Sequence, residues 1–252
     1  MGGIPDKLNI ALPDGHLMAH VLPFIKGAGL HFDGYETENL DRRPVMRTET
    51  ETAKQLIIQP ELVAAKVIRP QDMPTHVANA NFDIAISGTD WLAEHRQRFP
   101  KSPVIEKLRL GFGQVRIVVA VHQDEGDDVA DFIRSFRSQA KGEYLRIASE
   151  YVYLADYYAQ RNNLHPYRVI MTYGATESLI PEDCDMIVEN TETGNTLRKN
   201  RLKIIDTLEI SGSPKSEGCL IASLESLEIP WKRGIIDGIT SLFEMYLKSE
   251  SQ

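Results

Sequence analysis

The chain has 252 residues, enough to bury roughly three quarters of its unfolded surface in one large domain or two small ones. Its 42% hydrophobic and 25% charged residues lie near the globular average, which excludes disordered and collagen-like classes. A net charge of −8 argues against a nucleic-acid partner, since a polyanion requires a positive footprint, so an anionic ligand must be held by local donors.

The N-terminal "MGGIPDKLNIALP" lacks a basic start followed by an apolar core, and no run of roughly 18 apolar residues occurs anywhere. Neither a signal peptide nor a membrane partner is expected, and a cytoplasmic location is the default. From there strand and helix signals alternate. "KLNIALP" (7–13), "AAKVIRP" (64–70), "FDIAISG" (82–88), "QVRIVVAV" (114–121), "YLRIAS" (144–149), "YRVIMTYG" (167–174) and "DMIVEN" (185–190) are short, rich in β-branched residues and closed by turn residues. Helical spacing covers 15–28, 72–80, 89–99, 128–139, 151–162 and 193–200. The segment 31–62 has no clear period, and "TETETAKQ" within it reads as a solvated loop or exposed helix turn. This alternation predicts an α/β fold with parallel sheets and helices on both faces.

A change of character near Gly111 to Gln114 predicts a crossing between domains, with a return after "RLKIIDTLEIS" and a closing helix in "PWKRGIIDGITSLFEMYLKS". The expected organisation is two α/β domains with a cleft between them: residues 1–112 plus 207–252 form a discontinuous domain I, and 113–206 form domain II. Cys184 and Cys219 have no CxxC spacing and apolar neighbours, which reads as two reduced core thiols rather than a metal site or disulfide.

The stretch with the most chemistry is "DMIVENTETGNTLRKN", 185–200. A strand ends at Val188, Glu189 follows, and Thr193, Gly194, Asn195 and Thr196 lead into a helix. Backbone amides after a parallel strand form an anion site in α/β sheets, and Glu189 suits two ribose hydroxyls rather than a phosphate. Thr193 as a plain helix cap is the competing reading.

"VENTETGNTL" resembles the phosphoribosyl-pyrophosphate loop of phosphoribosyltransferases, and the wider chain resembles the ATP phosphoribosyltransferase family. "LNIALPDGHL" is similar to that family's first strand and turn, and "VIRPQDMPTHV" to its RPQDIPxYV segment. "FDIAISGTDWLAE" is similar to ADLGITGxDWLxE, "LGFGQVRIVVA" to LGFGxCRLVVA, "RIASEY" to RIATEYP, and "ETGNTLRKNRL" to ETGxTLRxNGL. The matches follow the family's order over most of 7–250. The resemblance implies the two-domain fold of type II periplasmic binding proteins. It also implies transfer of phosphoribose from phosphoribosyl pyrophosphate to N1 of ATP with Mg²⁺ as cofactor, the first step of histidine biosynthesis. The alternatives kept open are a non-catalytic ligand-binding or regulatory paralogue, or a phosphoribosyltransferase with another acceptor.

By the same resemblance, the loop of Glu192, Thr193, Gly194, Asn195, Thr196 and Leu197 takes the 5′-phosphate, largely through backbone amides, and Glu189 stands where the family has an Asp for the ribose hydroxyls. Arg69 and either Arg42 or Arg43 match arginines that contact the pyrophosphate, a task suited to a forked donor. A strand-end salt bridge is the plain alternative for Arg69. Gly88, Thr89 and Asp90, with Arg116 and Glu177, match positions near the nucleotide. The family turn KGR is here Asp14, Gly15, His16; the family's GxCR cysteine is Val115, its TEY proline is Val152 and its xNG glycine is Arg201.

Other motifs carry less. His16 and His20 have zinc-like i, i+4 spacing but neither a general-base Glu nor a third ligand, so a surface or satisfied core pair is expected. "GFG" at 111–113 reads as a hinge or strand entry. The chain leaves no room for the family's long-form C-terminal regulatory domain, so the expected partners are a regulatory subunit resembling a histidyl-tRNA synthetase and further copies in a homo- or hetero-oligomer.

Overall fold

The computed structural model describes residues 6–138 and 143–250. The chain first forms β1 (Leu8–Pro13), α1 (Gly15–Gly27), β2 (Leu30–Asp33), β3 (Val45–Thr48), α2 (Glu51–Leu56), β4 (Val63–Ile68), α3 (Met73–Ala78), β5 (Ile84–Gly88), α4 (Thr89–Arg98) and β6 (Val104–Arg109). Next come β7 (Arg116–His122), α5 (Val129–Ser138), β8 (Leu145–Ser149), α6 (Val152–Arg161), β9 (Tyr167–Met171), β10 (Met186–Thr191), α7 (Asn195–Lys199) and β11 (Leu202–Leu208). It closes with β12 (Gly218–Ser223), α8 (Leu224–Glu228) and α9 (Pro230–Glu250). Every strand and helix expected from the pattern forms, at slightly different ends. The last residue of the expected helix 128–139, Gln139, lies outside the described residues. "TETETAKQ" contributes α2, whose first turn is closed by the Thr50 hydroxyl accepting the Ala53 amide at 3.2 Å.

The chain divides into two compact units, one containing residues up to Leu92, 101–113 and 217 onward, the other 93–100 and 114–216. The expected boundary at 206/207 falls inside β11, where Asp206, Thr207 and Leu208 still pair with Val119, Val118 and Ile117 of β7, so the return comes only after Ser216.

The sheet of unit 1 has the order β4-β1-β5-β12-β6, and that of unit 2 the order β11-β7-β10-β8-β9. Both are mixed, which corrects the expectation of parallel sheets. β1 runs parallel to β4 and β5, and β8 parallel to β9 and β10. β12 is antiparallel to β5 and β6, and β7 is antiparallel to β10 and β11. β7 and β12 are each the first strand after a crossing, and each runs against its neighbours.

In unit 1 the pleat sends alternate residues to two cores. Ile10, Leu12, Ile84, Ile86 and Leu220 join Val21, Phe24, Ile239 and Phe243 from α1 and α9, while Ala11, Ala85, Cys219 and Ile221 join Met73, Val77 and Leu92 from α3 and α4. Both faces are therefore covered, which is why β1, β5 and β12 are buried throughout and mostly apolar. One buried charge ties this layer together: Asp83 accepts the Asn9 amide at 2.7 Å, the Ser226 hydroxyl at 2.6 Å and Lys232 Nζ at 2.7 Å.

In unit 2, Val118, Ala120, Ala148, Ile187, Leu197 and Leu202 form the core beneath β7, β10 and α7. The first turn of α6 is capped from a distance, as the Glu94 carboxylate accepts the Tyr153 amide at 2.9 Å and the Leu154 amide at 2.8 Å. Val152 opens α6 where the family has proline, the residue favoured at a first helical position because its missing N–H would be unused there. Both cysteines are buried free thiols, and burial first of all pushes Cys184 up to about 12, which keeps it a packed neutral thiol.

Candidate functional site

In unit 2 the sheet delivers β10, flanked by β7 and β8, to a tight turn. Gly194 there has φ +73, a left-handed conformation that glycine adopts without steric cost. The buried Thr191 hydroxyl accepts the Gly194 amide at 2.9 Å, and Thr193 Oγ1 accepts the Asn195 amide at 3.4 Å. Leu197 points into the core, so it anchors the turn and offers a ligand only its backbone. Glu192, Thr193, Asn195 and Thr196 are exposed. α7 is shorter than expected, starting at Asn195 and ending at Lys199. Arg198 folds back from it, donating to Asn195 Oδ1, and its Nη1 would stand 3.3 Å from a Cβ placed on Gly194. Main-chain amides, hydroxyls and a guanidinium thus gather within one short turn, a donor set suited to an anion.

Glu189 sits five residues before Gly194, within strand β10. Its Oε1 accepts the Asn190 amide at 2.8 Å, and the Thr176 hydroxyl also bonds it. Burial pushes its carboxyl up to about 7, the Glu150 and Glu177 charges add to the rise, and the two hydrogen bonds oppose it. Glu177 lies on the 3₁₀ turn Thr176–Leu179 and is half-buried. Arg116, the first residue of β7, pairs across the ladder with Thr191 and therefore stands beside the anion turn. Of the predicted residues, unit 2 brings together Glu189, Glu177, Arg116 and the 192–197 turn.

In unit 1, Arg69 follows β4 directly and is exposed. Arg42 is drawn to the same strand end: its carbonyl accepts the Val67 amide at 3.0 Å, and its Nη1 bonds Asp14 Oδ2 at 2.7 Å. The Asp14 amide donates to the Ile68 carbonyl at 3.1 Å. Arg43 takes part in none of these bonds; its amide donates to Asp41. The structure thus groups Asp14, Arg42 and the start of Arg69 at the carboxyl ends of β1 and β4, and leaves Arg43 outside.

Gly88, Thr89 and Asp90 are all buried. The Thr89 amide donates to the Glu217 carbonyl at 2.9 Å while its hydroxyl accepts the Glu217 amide at 3.1 Å. Asp90 Oδ1 fills the space in front of Gly88, where a Cβ would meet it at 2.1 Å, so a side chain there requires that carboxylate to shift. These residues hold the β5–α4 turn in shape.

The sequence profile of the family described as ATP phosphoribosyltransferase matches residues 69–244. An ATP phosphoribosyltransferase of Chlorobaculum parvum is 30% identical over 252 residues, covering all of this chain and 76% of that protein. The chain belongs to the ATP phosphoribosyltransferase family. A relative of the same name from Geotalea daltonii is 33% identical over 193 residues, 73% of this chain and 59% of that one. Among solved structures, the ATP phosphoribosyl transferase (HisG:HisZ) complex from Thermotoga maritima aligns with TM-score 0.70 at 22% identity, over 97% of this chain and all of that one. A Candida albicans protein described as having the generic periplasmic binding protein fold aligns with TM-score 0.55 at 11% identity, over 98% of this chain and 72% of that one. These likenesses show the fold, two α/β domains of the periplasmic-binding-protein type.

Against the ATP phosphoribosyltransferase pattern, two features of the turn escaped sequence reasoning. Thr191 and Arg198 shape it through contacts three residues apart, and the only trace they leave in the sequence is that i, i+3 spacing. The departure at Arg201 also gains a meaning. Arg201, aligned by resemblance with a family glycine, has φ +57, a left-handed conformation that costs an L side chain about 1–2 kcal/mol.

Proposed function

We propose that this chain joins N1 of ATP to the ribose C1 of phosphoribosyl pyrophosphate, releasing pyrophosphate, as the first step of histidine biosynthesis. The observation that carries the reading is the turn after β10, with left-handed Gly194 between Thr191, Thr193 and Arg198. In this reading the turn takes the 5′-phosphate and Glu189 takes the ribose hydroxyls. The lone pair of N1 forms the new bond as the C1–O bond breaks, and the electron pair leaves on pyrophosphate. Arg42 and Arg69 are assigned to that developing charge, and Arg116 to anionic oxygens beside the turn.

Among the described residues no group of three or more His, Cys, Asp or Glu side chains is arranged to hold a metal. Mg²⁺ is proposed as cofactor on the family likeness; it keeps most of its waters and binds mainly through substrate phosphates with one or two carboxylates. When bound, it would screen the leaving group. A second protein subunit is proposed as partner, on the likeness to the HisG:HisZ assembly from Thermotoga maritima.

The test incubates the protein with ATP, phosphoribosyl pyrophosphate and Mg²⁺, with and without a candidate partner, and follows pyrophosphate and the phosphoribosylated nucleotide by mass spectrometry. Gly194→Trp is expected to lose activity almost entirely, while unchanged turnover in that variant removes the turn from the mechanism. The Asp14–Arg42 pair favours one second reading, a ligand-binding relative without catalysis, since it neutralises a cation assigned to the leaving group. Calorimetric binding of phosphoribosyl pyrophosphate with no product under any condition would select that reading.

A further inference from the structure

Asp14 occupies the N-cap position of α1 yet makes no capping bond to the helix. Its carboxylate turns instead to Arg42 Nη1 at 2.7 Å. The pair is asymmetric: the Asp14 side chain is 20% exposed and Arg42 62% exposed. The acid is therefore fixed against the protein, while most of the guanidinium faces water. Three bonds hold the acid there. Its amide is tied to Ile68 of β4, the preceding Pro13 carbonyl accepts the Tyr35 hydroxyl at 2.6 Å, and Arg42 is itself tied to β4 through Val67. The second side-chain contact of Arg42, to the Val67 carbonyl at 3.5 Å, is long, so Asp14 is its main anchor.

We propose that Asp14 is a built-in competitor for the anion that Arg42 binds: it holds the guanidinium when no ligand is present and sets how tightly a diphosphate is kept. The inference rests on the proposed function, which assigns Arg42 to the leaving pyrophosphate. A diphosphate approaching Arg42 meets a cation already neutralised by a fixed carboxylate. It must share or displace that bond, and on release the carboxylate takes the guanidinium back. Asp14 is thus a positioning residue that weakens diphosphate binding and eases departure.

The experiment titrates inorganic pyrophosphate in Mg²⁺ buffer by calorimetry into the wild type, Asp14→Asn, Arg42→Ala and the double variant. Asparagine keeps an oxygen for Arg42 to donate to and removes the charge. Exposed ion pairs are worth up to about 1 kcal/mol, so Asp14→Asn is expected to tighten pyrophosphate roughly threefold to fivefold. The KM for phosphoribosyl pyrophosphate should fall by a similar factor with kcat moving less, and the gain should shrink in the Arg42→Ala background because the two residues are coupled. Unchanged or weaker pyrophosphate binding in Asp14→Asn would overturn the proposal, as would an equal gain in both backgrounds. The product assay separates the two ideas. Wild-type turnover combined with an inert Asp14→Asn sinks only the competitor, whereas pyrophosphate binding without product in the wild type sinks the assigned reaction.

Discussion

Two side chains carry the sharpest consequences at the residue scale. Glu189 is raised to about 7, chiefly by burial, so its neutral form is favoured on folding. The resulting stability is fully present below the unfolded glutamate value of about 4.3 and is lost as pH rises through about 7. Binding has the opposite sign, because ribose hydroxyls donate to a carboxylate. Affinity for phosphoribosyl pyrophosphate should rise with pH across about 7, a midpoint raised first by burial and then by the Glu150 and Glu177 charges. In Glu189→Gln this component should vanish. The ligand's own phosphate ionisation stays in both proteins, so the difference between two titrations isolates the residue; identical profiles would remove Glu189 from the ribose site. Arg201 gives a stability test. With φ +57 it should be improved by glycine, so Arg201→Gly is expected to raise unfolding free energy by about 1 kcal/mol in urea titrations.

Among elements, Asp83 links β1, α8 and α9 through Asn9, Ser226 and Lys232. Removing the acid strands a shielded ammonium and two donors, so Asp83→Ala should cost about 3–5 kcal/mol in chemical denaturation, with Lys232→Met in that background restoring part of it. This bond was illegible in the sequence because its partners come from distant segments. The strands were legible for the opposite reason: runs such as "LNIALP" and "IAISG" are buried at every position and mostly apolar, with Asn9 and Ser87 as their polar members, because two helical layers cover them. That same feature hid strand direction, since a fully buried strand reads alike parallel or antiparallel, and it left β12, "GCLIAS", without an alternating signal. The turn after β10 was readable because a glycine and hydroxyls stand at fixed spacing within it. The burial of Thr89 and Asp90 was not, because it depends on Glu217 across the chain's return. Arg42 differs from Arg43 in its backbone bond to Val67 and its side-chain bond to Asp14, both made across distant segments.

At the scale of the whole molecule, a chain of net charge −8 is proposed to bind two polyanions. Long-range attraction works against this, so affinity has to come from local donors and from positive charge brought by the substrate. The proposal assigns Arg42 and Arg69 of unit 1 and Arg116 of unit 2 to these anions, and Asp14 already neutralises Arg42. In this proposal a divalent ion arrives on the pyrophosphate and supplies part of that positive charge. Two outcomes follow together. Chelation by EDTA should abolish pyrophosphate release, and excess Mg²⁺ should restore it, while the thermal midpoint of the substrate-free protein should not move, because no binding free energy is lost from the folded state. A midpoint that falls on chelation without substrate would instead mean a resident metal coupled to folding. Turnover that persists in EDTA would mean that the arginines alone suffice for the leaving group.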